Sequence, residues 1–225
     1  MSRIAGLLRL FPFTIVLSLA FIVIGILTGG VLKADYASIR AHAGWDLDAL
    51  KTGYYWRQLP NTLVPATAGI KWHEPLLLVL FVGALEYRAG SLAALVTFFV
   101  SDWISSPLTV LTVWGLSTLG SQTAARVLST PSTGASAASL ACGAAAACLI
   151  PGRWSIFAGG VILGIVLHSF TYQAFDTSLA HIYATTFGAL AGLLLWGRRP
   201  EKLRPFGGFR SAPDAPGSAA AGTAP

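Results

Sequence analysis

Charges divide this chain into long stretches that contain none. No charged residue occurs from Leu10 to Leu32, between Arg9 and Lys33. About 20 apolar residues in an α-helix are enough to cross the hydrocarbon layer of a bilayer. A secretory h-region would be shorter and followed by a small-residue cleavage site, so the segment is read as a retained first helix. Apolar stretches recur at 70–87, 92–115, 135–150, 154–170 and 180–196. In lipid every backbone polar group must find its partner inside the protein, and a segment of this kind does so as a helix. The expected fold is therefore an all-α, polytopic membrane protein with six transmembrane helices in residues 1–200. The segment 33–70 is mixed and holds Trp45, Tyr54, Tyr55 and Trp56. Such aromatic residues suit a headgroup boundary, so it is read as a long, partly interfacial loop. Residues 201–225 are expected to form a tail, basic at first and then rich in Pro, Gly, Ser and Ala, a disordered composition.

Composition excludes the alternatives. Of 225 residues, 54% are apolar and only 11% are charged, less than half the roughly 25% of soluble domains. Mean hydropathy is +0.66. A disordered chain would be far more polar, and a soluble domain could not cover its surface with so few charges. Cys142 and Cys148 fit neither a disulfide framework nor a paired metal motif and are read as small buried thiols. No metal and no cofactor is expected. The net charge of +6 is distributed for lipid orientation rather than for nucleic acid. With six spans, one side carries both termini and nine basic residues: Arg3, Arg9, Arg88, Arg153, Arg198, Arg199, Lys202, Arg204 and Arg210. Its acids are Glu86, Glu201 and Asp214, so it nets +6. The six basic and six acidic residues of the other side cancel. By the positive-inside rule both termini are expected in the cytoplasm, in a multi-pass plasma membrane protein whose partner is the bilayer itself.

Two polar side chains stand where the apolar pattern does not ask for them. Ser136 lies where the polar segment 127–134 meets the fourth helix, with Gly134 two residues before it. A hydroxyl in that first turn sits beside unpaired backbone N–H groups and the positive end of the helix dipole. An oxyanion forming there would find donors in place. The structural alternative is a helix cap, for which Ser is favoured. His181 opens the sixth helix, and Ala184, Gly188 and Gly192 follow on its face at i+3, i+7 and i+11. Small residues at that spacing let a neighbouring helix approach closely. If the fourth helix packs on this seam, Ser136 and His181 meet at one depth, and a hydroxyl beside an imidazole is an activated nucleophile. No acid is placed to orient the ring, so the pair would be a dyad. The structural alternative for His181 is an interface histidine bonded to backbone or water. His168, on the Gly160 and Gly164 face of the fifth helix, is the reserve base, and that face is expected to pack within the molecule. Ser139 is the nearest rival hydroxyl.

These residues together resemble the rhomboid intramembrane serine proteases over nearly the whole six-helix length. Trp56-Arg57 is similar to the Trp-Arg pair of that family's first loop. Glu86-Tyr87-Arg88-Ala89-Gly90-Ser91 resembles the Glu-x-Arg-x-Gly segment that ends its second helix. Gly134-Ala135-Ser136-Ala137 resembles the GxSG nucleophile motif, and Ala180-His181-Ile182-Tyr183-Ala184 with Gly188 resembles AHxxGxxxG around the general base. The resemblance implies Ser136 as nucleophile, His181 as base and transmembrane proteins as substrates. It implies structural roles for Trp56, Arg57, Glu86 and Arg88 at the cytoplasmic end and the first loop. Ala137 and Ala184 stand where the family has glycines, and Ala184 is expected to loosen the seam. Counting back from Glu86, the family's HxxxN oxyanion donors fall on Ile70 and Glu74. An ionised Glu74 cannot donate, and the adjacent His73 could take its place. A register that aligns Gly188 and Gly192 with both seam glycines would put Thr185 at the base position and imply a dead enzyme. Two activities stay open: an intramembrane endopeptidase, and an inactive rhomboid-like protein that binds transmembrane helices. A transporter would show inverted repeats with paired interrupted helices, which the sequence lacks.

Overall fold

A computed structural model describes residues 10–128 and 130–198. The expected tail 201–225 lies outside the described residues, as do Arg3, Arg9 and Arg199. Among the described residues the regular structure is helical, apart from one isolated antiparallel bridge between Trp45 and Ser132. The order is α1 (Pro12–Gly29), α2 (Tyr36–Ala43), α3 (Leu47–Thr52), a 3₁₀ turn (Tyr55–Arg57) and α4 (Gln58–Leu63). Next comes α5, continuous over 73–89, in which a π-helical turn (Leu78–Val82) separates His73–Leu77 from Gly83–Ala89. Then follow α6 (Ser91–Thr118), α7 (Gln122–Val127), α8 (Ser136–Cys148), α9 (Arg153–Tyr172) and α10 (Phe175–Arg198).

Four helices, α1, α6, α9 and α10, are long and apolar enough to cross a membrane, which marks a membrane protein. The other two expected spans are also helical, but α5 and α8 are shorter than these four. The last helix starts at Phe175 rather than Ala180, which places His181 in its second turn. A count of apolar residues misses this first turn because Asp176, Thr177 and Ser178 are polar, although an acid there suits the helix dipole. The segment 33–70, read as a loop, is mostly short helices.

The short helix α8 is the centre of the molecule. Its 13 residues span only about 20 Å at 1.5 Å per residue. Helices α5, α6, α9 and α10 all contact it, and almost every residue along it is buried. An all-round apolar, Ala-rich helix is what such a position requires. Its closest partner is α10. A Cβ on Gly188 would fall within the carbonyl group of Ala141, and one on Gly192 would lie 2.6 Å from the carbonyl oxygen of Ala145. The predicted seam is therefore real. The methyl of Ala184 is fully buried in it, among Ala137, Ala141 and Ala180. The Gly160 and Gly164 face of α9 does not pack within the molecule as expected. Nothing lies within 4 Å of a Cβ built at either position, because α9 meets α8 through Ile162 and Val166 instead.

Charged side chains bonded to neutral groups tie the ends of these helices. Pro12 opens α1 with no side-chain cap of its own. The Glu86 carboxylate, 72 residues away, accepts from Thr14 N–H at 2.8 Å and Thr14 Oγ1 at 2.6 Å. It also accepts from Phe13 N–H at 2.8 Å. An anion at a helix N-terminus satisfies orphan donors and the dipole at once. Arg88 Nη2 donates to the carbonyl of Leu149, the C-cap of α8. Glu86 thus holds the start of α1 rather than the first loop, and Arg88 grips the end of α8 far from Ser136.

The segment leading into α8 is braced by 36–66. Trp45 and Ser132 exchange N–H···O bonds at 3.0 Å, and Arg40 Nε donates to Pro131 O at 3.1 Å. Tyr36 and Thr133 both donate to the carbonyl of Pro65, at 2.7 and 3.2 Å. Burial pushes the Tyr36 phenol up, against the opposing charge of Arg40, so it remains a donor at neutral pH.

Candidate active site

Ser136 is the first residue of α8, and the residue at the capping position is Ala135. No side chain caps this helix start, so Ser136 does not serve as the cap. Its Oγ lies 2.9 Å from Nε2 of His181 instead. His181 is 2% exposed, and its Nδ1 has no hydrogen-bond partner among the described residues. The arrangement is a dyad, with the ring held by packing on the α8–α10 seam rather than by an acid. Thr185, the base in the alternative register, is one turn further along α10. The rival hydroxyl Ser139 donates to Ala135 O at 2.8 Å and is committed to its own helix. His168 is exposed on α9, with its ring against Tyr172 and its Nδ1 3.2 Å from Thr171 Oγ1.

Gly134 is needed where it is. Its φ is +128°, a region that side-chain-bearing residues rarely adopt. Its N–H donates to Asn61 O at 3.0 Å, which fixes the approach of the chain to Ser136. Because the Ala135 side chain carries no oxygen, the first N–H groups of α8 face no side-chain cap, as an oxyanion site requires.

Ser136 and His181 open onto a cleft of about 460 Å³. His73 and Glu74, at the start of α5, line it too, so the structure brings all four predicted residues to one cavity. His73 is exposed, whereas Glu74 is 5% exposed and its Oε2 has no partner among the described residues. Sequence reasoning missed the far wall, Tyr172, Gln173, Asp176 and Thr177 at the α9–α10 turn. Its signal in the sequence is the polar side chains among residues 171–178, between the fifth and sixth apolar stretches. Trp56 and Arg57 do not line the cleft. Trp56 is exposed, and the Arg57 guanidinium lies 5.0 Å from the centre of the Tyr54 ring. They form the 3₁₀ turn that leads into α4. Among the described residues no group of three or more His, Cys, Asp or Glu could hold a metal ion. Cys142 and Cys148 are free thiols at helix crossings. No family model, curated protein or solved structure matches this chain.

Proposed function

We propose that this protein is an intramembrane serine endopeptidase of rhomboid type, with six spanning helices, that cleaves transmembrane protein substrates. The 2.9 Å approach of Ser136 Oγ to His181 Nε2 carries the proposal. Nε2 removes the hydroxyl proton as Oγ attacks the substrate carbonyl carbon, and returns it to the departing amine as the C–N bond breaks. The tetrahedral oxyanion meets the N–H of Ser136 and the uncapped first turn of α8. Water then attacks the acyl-enzyme with the same imidazole as base and releases the new carboxylate.

The length of α8 supports a buried site. With its Arg88-bound end at the cytoplasmic boundary, a helix of about 20 Å leaves Ser136 roughly 10 Å below the outer edge of a 30 Å layer. Both termini are then cytoplasmic, in the plasma membrane. Water and the substrate reach Ser136 through the polar cleft. A peptide bond hydrogen-bonded within a helix is shielded, so the substrate is a transmembrane segment with a destabilised turn.

A second reading has its own support. Glu74 stands where an oxyanion donor is wanted, and as an anion it would repel the intermediate, as expected of an inactive binder of transmembrane helices. A serine-directed fluorophosphonate applied to the purified, folded protein separates the two. The protease labels, and Ser136→Ala abolishes the label. A folded wild type that never labels is the helix-binding protein.

A further inference from the structure

Asp102 lies in the middle of α6, 2% exposed, and it is not part of the cleft. An acid inside a spanning helix is costly and is retained for a specific partner. Here the partner comes from outside the six spans. Thr62 Oγ1, in the short helix α4, donates to Asp102 Oδ2 at 2.7 Å, and both groups are buried. Gln58 and Asn61, one turn back and one residue back on α4, are buried beside it. The carbonyl of Asn61 is the acceptor that holds the Gly134 N–H at 3.0 Å. Gly134 has the positive φ that shapes the approach to Ser136, two residues on. An unbroken path therefore runs from α6 through Asp102, Thr62 and Asn61 to the backbone in front of the nucleophile. The other braces of this segment come from 36–66 alone. The Asp102–Thr62 bond fastens it to a helix long enough to span.

We propose that Asp102 and Thr62 are positioning residues for the Ser136–His181 pair, acting through α4 and Gly134 rather than on the reacting atoms. The proposal rests on the protease reading above. A single hydrogen bond adds little net stability, and a buried polar pair is often matched by apolar residues of similar volume. What such a pair does give is a fixed location. A nucleophile displaced by 1 Å loses on the order of 10²-fold in rate.

The test compares Asp102→Leu, Asp102→Asn, Thr62→Val, Thr62→Ser and the Leu/Val double variant. The measurements are kcat and KM on a transmembrane substrate, the rate of fluorophosphonate labelling, thermal melting, and hydrogen exchange of the peptide containing Gly134. Asp102→Leu and Thr62→Val should each lower kcat and the labelling rate roughly 10- to 100-fold, with KM changed less than about twofold. The double variant should be no worse than either single one, because the two residues form one link. Asp102→Asn and Thr62→Ser keep an acceptor and a donor and should restore most of the rate. Exchange at Gly134 should quicken in the Leu and Val variants only. Equal rates in all variants, losses that follow melting, or losses that multiply in the double variant would each overturn the proposal. If Asp102→Leu does not fold, the Thr62 pair decides alone. A folded wild type that neither labels nor cleaves overturns the protease reading. Exchange at Gly134 then still reads the link, and unchanged exchange in Thr62→Val overturns it in either case.

Discussion

Ser136 has two kinds of partner within reach of a helix N-terminus, the unpaired N–H groups of its own first turn and a side chain from another helix. The fold gives it the second. Ser136→Ala therefore removes the proposed nucleophile, not a cap, and should abolish cleavage while leaving the melting temperature nearly unchanged. His181→Ala should abolish cleavage too, and the double variant should be scarcely worse than either, because the two act as one unit. His168→Ala should keep most activity, since its ring faces Tyr172 and Thr171. Substrate cleavage beside thermal melting checks all four, and activity in Ser136→Ala would end the assignment. Glu74 belongs to the same scale. Its residue lines the cleft in which an oxyanion would form, and its buried Oε2 has no partner among the described residues. Glu74→Asn supplies a neutral donor and should raise kcat by about tenfold or more, given that one such donor is worth 10²–10³. A fall in kcat would place Glu74 in some other role. His73→Ala, measured beside it, lowers kcat without lowering the melting temperature if that ring donates in place of Glu74.

Among the helices, α8 and α10 decide whether the site exists. Their axes can approach because Gly188 and Gly192 have no Cβ to collide with the backbone of Ala141 and Ala145. Gly188→Val must push α10 outward, and His181 moves with it. The variant should lose on the order of 2–5 kcal/mol of stability, as overpacked cores do or worse, and activity should disappear below the melting point. Gly164→Ala on α9 is the control. Space is open there, and Ala is a better helix former by about 1 kcal/mol, so melting should hold or rise slightly and activity should not change. If the two variants behave alike in denaturation and cleavage assays, the seam is not what sets the dyad distance.

For the whole molecule, charge and end-to-end ties point the same way. Glu86 and Arg88 secure the start of α1 and the end of α8 at the end opposite Ser136. Under the proposed six-span topology, the side expected to be rich in Lys and Arg is that end, and the positive-inside rule puts it in the cytoplasm. A reporter that fluoresces only in the cytoplasm, fused after Arg210, should glow, and one that works only outside should be silent. The reverse result would move Ser136 to the inner half of the bilayer and with it the face from which substrates are reached.

Much of this was legible in the residues alone because it depends on local repetition. The spacing of charges marks where helices stop, and the 3.6-residue period puts His181, Ala184, Gly188 and Gly192 on one face whatever lies opposite. Those facts suffice for an all-helical membrane protein and for naming Ser136 and His181 as a pair worth testing. What lies opposite each face is not local. That α10 presents its seam to α8 while the equally small Gly160 and Gly164 face of α9 is left open depends on every other helix finding its place. So does the capping of α1 by Glu86 across 72 residues. The same holds for the hydroxyl of Thr62 on Asp102, 40 residues away. Partner choice at such separations is made by packing, because a buried polar group takes whichever complementary group the closed fold brings to it. Sequence determined which side chains could do chemistry, and tertiary structure decided that two of them stand 2.9 Å apart.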